Sequence, residues 1–259
     1  MTAFVAQNDI GSVRTLTLSN PGKLNAVPPD GWLQLEDAFL GFAASTQQAL
    51  VLTGADGAFC AGADMAGPGL LASSAADTAR RMREVNRAAM ALHRLNKPTI
   101  AAVDGVAVGA GMNLAIGCDV VIASSRARFA EIFVQRGLTM DFGGTWHLPR
   151  LVGLMRAREL ALTGRIVDAD EALDIGLVLA VVEPEVLSDE VMRLAGQFAA
   201  GAPLAQSFIK RALDRSSSMN FEQTLSFEEQ AQVLLLGSED CIEGAAAFVE
   251  KRDPRFKGR

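Results

Sequence analysis

The sequence contains few of the side chains on which most reactive or cross-linked sites depend. Among its 259 residues there is no Tyr, and there are only two His and three Cys. The cysteines, Cys60, Cys118 and Cys241, lie far apart, with neither a C-x-x-C pair nor a nearby His. This distribution argues against a disulfide framework and against a metal centre such as a zinc cluster, and it favours a reducing compartment.

Strong positive charge and long apolar runs are missing as well. The chain has 24 basic and 30 acidic residues and no block of Lys or Arg, so it lacks the footprint of a nucleic-acid-binding protein. The longest apolar run, 105–118, contains Asn113 and is shorter than the ~20 residues of a membrane span. The beginning of the chain contains Asp9 and no apolar core, which is not the pattern of a signal peptide. We expect a soluble cytoplasmic protein with neither nucleic acid nor membrane as partner.

Strand and helix patterns alternate in the first part of the chain. Short apolar or alternating runs predict strands, periodic runs predict helices, and glycines separate them. The strands are predicted over 12–18, 49–53, 99–103 and 119–123, and the helices over 34–42, 77–96 and a short stretch that ends at Gly117. Three such units in succession indicate an α/β fold with parallel neighbouring strands.

From about residue 188 onward the pattern is helical. One helix carries Val191, Leu194 and Phe198 on a shared face, and three more are predicted over 204–213, 221–236 and 239–250. We therefore divide the chain into a core of residues 1–187 and a C-terminal helical region of residues 188–259. This region either caps its own core or forms an oligomer interface.

Common cofactor and nucleophile motifs do not fit the sequence. Gly109-Ala-Gly111 resembles a dinucleotide fingerprint, but the third small position is Leu114, which is too bulky for the close helix contact that this motif requires. Neither a phosphate-binding G-x-x-x-x-G-K-[ST] loop nor a G-x-S-x-G elbow occurs. A Ser-His-Asp triad would need His93 or His147, and the position of His147 is more typical of a packed or surface histidine.

Two glycine-rich segments remain, at Ala61-Gly-Ala-Asp-Met65 and Gly109-Ala-Gly-Met112, and both are predicted as strand-to-helix turns. Glycines allow a ligand to approach the main chain, and two converging N–H groups would form an oxyanion hole. On spacing alone, ordinary turns explain the segments at least as well.

A larger set of motifs resembles, in order, the crotonase (enoyl-CoA hydratase/isomerase) superfamily, and the resemblance covers almost the whole chain. The motifs include Asn20-Pro-Gly-Lys-Leu-Asn-Ala26, Phe59-Cys-Ala-Gly-Ala-Asp-Met65, Lys97-Pro-Thr-Ile-Ala-Ala-Val-Asp-Gly105, Gly143-Gly-Thr145, Leu148-Pro-Arg150 and Ala247-Phe-Val-Glu-Lys-Arg-Asp-Pro-Arg-Phe256. The resemblance implies an α/β fold built as a spiral of ββα units with a helical C-terminal trimerisation region. A homotrimer or a dimer of trimers is the expected assembly.

The resemblance also implies an acyl-CoA thioester as the substrate. Members of the superfamily stabilise an enolate with two backbone N–H groups, which by position belong to Ala63 and Ala110. Coenzyme A is part of the substrate, and no metal or further cofactor is implied. The residues implied in binding it are Ala61, Asp64 and Met65 around the adenine, Lys23 near the phosphates, and Phe248 with Lys251 from a neighbouring subunit. Taken alone, Lys23 and Lys251 are equally well explained as solvated surface charges.

The catalytic glutamates of typical hydratases are missing. Their two positions hold Asn113 and Phe133, which we expect to contact the substrate, although an amide is no base near neutral pH. Asp141 occupies the position of the acid/base Asp of dienoyl-CoA isomerases and of the nucleophilic Asp of aryl-CoA dehalogenases. Its surroundings, Asp141-Phe-Gly-Gly-Thr-Trp-His-Leu-Pro-Arg150, look most like the branch that isomerises ring-1,2-epoxyphenylacetyl-CoA.

Two carboxylates are candidates for moving a proton. Asp141 has apolar neighbours, so burial would raise its pKa toward a value useful for proton transfer; alternatively it caps the helix that follows. Glu131 lies two residues before Phe133 and, on a strand, would share its face.

The leading hypothesis is an isomerase of unsaturated or epoxidised acyl-CoA in which Asp141 moves the proton. The alternatives are a hydratase in which Glu131 or Asp141 activates water, a catalytically silent CoA-thioester-binding homologue, and a dehalogenase.

Overall fold

A computed structural model describes residues 3–65 and 74–259. The strands in these residues are β1 (Val5–Ile10), β2 (Val13–Leu18), β3 (Ala49–Gly54), β4 (Thr99–Val103), β5 (Val106–Val108), β6 (Val120–Ser124), β7 (Arg128–Ala130), β8 (Val167–Asp168) and β9 (Ala180–Val182). They form a six-stranded sheet with the order β1-β2-β3-β4-β6-β9 and a three-stranded sheet with the order β5-β7-β8. In the large sheet only the β1–β2 pair is antiparallel, which confirms the predicted parallel arrangement.

Ten α-helices are described in the same residues. They are α1 (Gly31–Ala43), α2 (Ala75–His93), α3 (Ala110–Ile116), α4 (Gly144–Val152), α5 (Leu154–Thr163), α6 (Ala169–Asp174), α7 (Leu187–Ala199), α8 (Pro203–Ser216), α9 (Phe221–Leu236) and α10 (Glu239–Glu250). A 3-10 helix, Ile132–Arg136, lies between β7 and α4. None of the described helices combines the length and apolar character needed to cross a membrane.

The chain repeats a strand–strand–helix unit, which confirms the expected spiral. β4 belongs to the large sheet, β5 to the small sheet, and α3 follows; β6 and β7 repeat the same step. After β3, the chain makes a single parallel bridge from Cys60 to Ala107 of β5 instead of a full strand. The short second strands place successive turns of the spiral side by side, and the candidate site is formed by these turns.

The core has two parts, one on each side of the large sheet. The first contains aromatic side chains such as Phe39, Phe59 and Phe129 beneath α1, α2 and α3. The second lies under α7, which buries Leu187, Val191 and Ala195 against the sheet. The division of the chain into a core and a helical region at residue 188 remains a prediction, because α7 packs directly on the sheet of the core.

Candidate active site

The segment after Cys60 presents one free backbone N–H group. Ala63 forms a parallel bridge with Val27, in which Val27 N donates to Gly62 O at 2.8 Å and Asp64 N donates to Val27 O at 2.9 Å. The N–H of Ala63 therefore points away from Val27, and no acceptor is found for it in residues 3–65 and 74–259. Gly62 has a left-handed φ of 81°, and Ala63 forms the bridge. The residues between Met65 and Ser74 lie outside the described part of the chain, so the strand-to-helix turn expected here stays a prediction.

The second free N–H group belongs to Ala110, the first residue of α3. Gly109 precedes it with φ of 55°, a left-handed value that favours glycine, and donates its own N–H to Ala130 O at 2.8 Å. Gly111 packs against the neighbouring segment so closely that a methyl group there would lie 2.1 Å from Cys60 O. At the start of a helix the N–H of Ala110 has no intrahelical acceptor, and it finds none elsewhere in the described chain.

The two unpaired N–H groups lie on neighbouring segments of the chain. Val108 N donates to Cys60 O at 3.0 Å, which holds the two segments together. A methyl group at Gly62 would lie 3.5 Å from Ala110 N, so the chain between Cys60 and Ala63 runs directly beside the turn at Ala110. Two adjacent and unpaired backbone donors are the arrangement of an oxyanion hole.

Asn113 joins the helix that begins at Ala110 to the turn that carries Asp141. Its side chain is fully buried, and Nδ2 donates to Asp141 O at 3.0 Å. The same carbonyl accepts the N–H of Gly144 at 3.0 Å. A methyl group at Gly144 would lie 2.4 Å from both the oxygen and the nitrogen of the Asn113 amide, so only glycine fits at this contact.

The turn at Asp141 is held in an uncommon backbone conformation. Phe142 has φ of 49° and Gly143 has φ of 83°, and left-handed φ is unfavourable for a residue such as Phe. The Phe142 ring is buried and contacts Trp32 with 5.6 Å between ring centroids, which anchors the turn. The anchored ring thus keeps the adjacent Asp141 in place.

Burial raises the pKa of Asp141 to about 6. Its Oδ1 atom is buried and has no hydrogen-bond partner in the described chain. The alternative role as a helix cap is wrong, because the residue that caps α4 is Gly143 and no side chain caps it. A partly protonated, unpaired carboxyl is suited to accepting and donating protons near neutral pH.

The Glu131 side chain also lies beside Asn113, but the local backbone differs from the strand considered in the sequence analysis. It does not lie on a strand; it precedes the 3-10 helix that carries Phe133. The residue is 1% exposed, and its Oε2 atom lies 3.5 Å from Asn113 Nδ2. Burial raises the pKa of Glu131 to about 8; the Asn113 hydrogen bond opposes this rise, and the negative charge of Asp141 adds to it. The signal in the sequence is one charged residue inside the apolar run 129–134, which is the pattern of a buried carboxyl group.

Phe133 is buried beside the same turn. Its ring lies 3.7 Å from the position that a methyl group on Gly109 would take. The side chain therefore forms an apolar wall next to the N–H of Ala110, at a position where typical hydratases have a glutamate.

The residues expected to bind coenzyme A form two separate groups. Lys23 Nζ is 2.5 Å from Asp64 Oδ2, beside Ala61 and the exposed Met65. The Lys23 loop is fixed by Asn25, whose amide donates to Ala55 O and Ala58 O at 2.8 and 2.7 Å. Lys23 is thus an oriented, half-exposed cation next to the Ala63 segment.

Phe248 and Lys251 form the other group, at the end of α10. Phe248 is 86% exposed, and Lys251 ends the helix with φ of 55°. Within the described residues, no hydrogen bond, ion pair or ring contact joins either side chain to the Ala63 or Asp141 segments. Their expected role in a neighbouring subunit's site stays a prediction.

The two histidines lie together, apart from the carboxyl cluster. The rings of His93 and His147 have centroids 6.1 Å apart and line a cavity of about 440 Å³ beside the Phe142–Gly143 turn. Burial lowers the pKa of His147 to about 4, with smaller contributions from His93 and Arg150. His147 is therefore neutral near pH 7. Among the described residues no three His, Cys, Asp or Glu side chains are grouped so as to hold a metal ion.

Comparison with known proteins agrees with this geometry. The family model for enoyl-CoA hydratase/isomerase matches residues 9–259. The 1,2-epoxyphenylacetyl-CoA isomerase of Escherichia coli is 36% identical over the full length of both chains, and the crotonyl-CoA hydratase of Syntrophomonas wolfei is 37% identical over 93% of both. A solved enoyl-CoA hydratase from Bacillus anthracis superposes with a TM-score of 0.94 at 29% identity, covering 99% of this chain and all of that one. The resemblance to the crotonase superfamily is confirmed, and the chain belongs to the enoyl-CoA hydratase/isomerase family.

Proposed function

We propose that the protein isomerises an unsaturated or epoxidised acyl-CoA, with Asp141 as the group that moves the proton. The observation that carries this proposal is the buried, unpaired Oδ1 atom of Asp141. The backbone carbonyl of the same residue accepts a hydrogen bond from Asn113, on the helix that begins at Ala110. The likeness to the E. coli 1,2-epoxyphenylacetyl-CoA isomerase over the whole chain supports it.

The chemistry requires stabilisation of negative charge and a proton carrier. The N–H groups of Ala63 and Ala110 hold the thioester oxygen as it becomes an enolate, which lowers the barrier to removing the proton next to the carbonyl. The Asp141 carboxylate takes that proton, and reprotonation at a more distant carbon moves the double bond. With an epoxide, the same proton transfer assists opening of the ring.

The proposed coenzyme A site starts at the Lys23 and Asp64 pair. The main chain of residues 61–65 would contact the adenine, and Lys23 would contact a phosphate once it exchanges part of its bond with Asp64. Coenzyme A enters as part of the substrate, and the proposed reaction needs no other cofactor.

The proposed assembly is a homotrimer or a dimer of trimers. Its support is the apolar surface of the C-terminal helices, which their own chain leaves open. The exposed residues are Leu213, Phe221, Val233, Leu234, Leu236, Ile242, Phe248 and Val249. Many large apolar side chains exposed on one group of helices are typical of a subunit interface.

Hydration of a 2-enoyl-CoA is the second candidate. Glu131 favours it, because a second buried carboxyl beside Asp141 gives the site two groups that can hold and deprotonate a water molecule. The name of the S. wolfei relative points in the same direction.

Turnover in heavy water separates these candidates. Wild type, Asp141→Asn and the control Asp170→Asn, an exposed aspartate of α6, are incubated with 3-enoyl-CoA and with 2-enoyl-CoA. Double-bond position, deuterium uptake and added water are followed by mass spectrometry. We expect a shift of the double bond that Asp141→Asn slows by about 100- to 10,000-fold and Asp170→Asn leaves unchanged.

Three other outcomes have distinct meanings. A shift that is undiminished in Asp141→Asn would contradict the proposal. Water addition without a shift would favour the hydratase. Tight acyl-CoA binding without turnover would indicate a catalytically silent homologue.

A further inference from the structure

Three buried polar atoms without a hydrogen-bond partner lie in one cluster. In the described part of the chain they are the only such side-chain atoms: Asn113 Oδ1, Glu131 Oε1 and Asp141 Oδ1. Buried polar groups are nearly always paired in folded proteins, because an unpaired one loses the hydrogen bonds that water would supply. Three together indicate that the partner is a molecule other than the chain itself. The proposed substrate, or water at its reacting carbons, fits this requirement.

Glu131 belongs to the same structural unit as the oxyanion hole. It directly follows Ala130, whose carbonyl accepts the N–H of Gly109 at 2.8 Å. The next side chain, Ile132, lies 3.4 Å from the position of a methyl group on Gly109. The backbone that positions Glu131 is therefore bonded to the turn that presents the Ala110 N–H.

Asn113 lies between Asp141 and Glu131 and forms a hydrogen bond with each of them. Its Nδ2 atom is 3.0 Å from the carbonyl oxygen of Asp141 and 3.5 Å from Oε2 of Glu131. One amide thus orients both residues, while an oxygen of each carboxyl group remains unpaired.

We propose that Glu131 is a second catalytic residue, which delivers a proton to the substrate after Asp141 has removed one. The inference rests on the proposed isomerase function and assigns its two proton transfers to two different groups. Asp141 takes the proton from the α-carbon of a 3-enoyl thioester. The C–H electron pair then forms a double bond between the α-carbon and the carbonyl carbon, and the carbonyl π pair moves to the thioester oxygen, which gives a dienolate. When the oxygen pair reforms the carbonyl, the double bond moves to the α- and β-carbons, and the former β–γ π pair binds the proton of Glu131 at the γ-carbon, leaving Asp141 neutral and Glu131 ionised. One proton transfer from Asp141 to Glu131 then restores the starting state.

The environment of each carboxyl supports this direction. Near neutral pH Asp141 gives up its proton more readily than Glu131, because their pKa values are raised to about 6 and about 8. The pair therefore starts with Asp141 as the base and Glu131 as the acid.

A single-turnover experiment with labelled substrate tests the assignment. Enzyme in excess is mixed in ordinary water with a 3-enoyl-CoA that carries deuterium at the α-carbon, and the γ-carbon of the product is analysed by mass spectrometry. Wild type is compared with Glu131→Gln, which keeps the shape of the side chain, and with Glu185→Gln, an exposed control. Circular dichroism and urea unfolding establish that the variants fold.

We expect wild type to place protium at the γ-carbon, because the removed deuterium stays on Asp141. Glu131→Gln should turn over about 100-fold more slowly and carry deuterium over to the γ-carbon, since Asp141 must then perform both transfers. Carry-over by wild type would overturn the assignment, as would a Glu131→Gln variant with the wild-type rate. A slowed variant without carry-over would make Glu131 a positioning residue and also overturn it. Failure of the proposed function is recognised separately, by the absence of any double-bond shift in wild type.

Discussion

The carboxyl group of Glu131 should make the stability of the protein fall as pH rises. Its pKa is raised from 4.5 to about 8 in the folded state. Between these values the folded protein binds more protons than the unfolded chain, so unfolding becomes easier with each step toward alkaline pH. Glu131→Gln removes this penalty. Relative to wild type, we expect the variant to gain about 1 to 3 kcal/mol of unfolding free energy between pH 5 and pH 8.5.

Urea titrations of both proteins at a series of pH values measure this difference. Asp141 contributes a slope of the same sign to both proteins, so it largely cancels in the comparison. A difference that is constant across the pH range would show that Glu131 is ionised or solvated in the native state. A gain in stability at a residue needed for turnover is typical of an active site.

At the scale of elements, the sequence predicted both ends of three elements and missed the shortest strands. β4, α9 and α10 match the sequence prediction at both ends, since apolar periodicity and stop signals such as Gly237 are local. β5, β7 and β8 have two or three residues each, which is too short for any periodicity, and they exist only because they pair with one another.

The residues of the proposed site also differ in how well the sequence predicts them. Ala63, Ala110 and Asp141 were identified from motifs, because a backbone donor or a catalytic carboxyl recurs at a fixed position in a family pattern. The burial of Glu131 depends on the 3-10 turn after β7 and on the Asn113 side chain 18 positions earlier in the chain. No local pattern contains that contact.

Close packing of α3 on the Cys60 segment makes Gly111 a sensitive position. In Gly111→Ala the new methyl group would lie 2.1 Å from a backbone oxygen, so α3 must move and the Ala110 N–H must shift away from that of Ala63. We expect a loss of about 1 to 3 kcal/mol in unfolding free energy and a lower kcat in the folded fraction.

Gly196→Ala is the matched control, because Gly196 lies inside α7 and a methyl group there has no neighbour within 4 Å. That variant should gain about 0.5 to 1 kcal/mol, since alanine favours the helix. Urea midpoints give both values. Equal effects of the two substitutions would mean that the α3 contact does not hold the site together.

At the scale of the whole molecule, the proposed site is split between the core and the distant end of α10. In the proposed trimer, Phe248 reaches the coenzyme A site of a neighbouring subunit, which would account for an aromatic side chain that is 86% exposed in its own chain. Phe248→Ala should then raise KM for acyl-CoA by about 5- to 13-fold, equivalent to 1 to 1.5 kcal/mol of aromatic contact, and leave kcat nearly unchanged.

Mixed oligomers show whether the contact crosses between subunits. Asp141→Asn and Phe248→Ala chains are co-expressed, and native mass spectrometry identifies the mixed assembly by the different masses of the two chains. No chain in it carries both intact residues, but a Phe248→Ala subunit beside an Asp141→Asn neighbour receives an intact Phe248. We therefore expect part of the activity to return with the KM of wild type. If the only activity has the raised KM of Phe248→Ala, the Phe248 side chain contacts the substrate of its own subunit. In that case an Asp141→Asn neighbour cannot supply the missing contact.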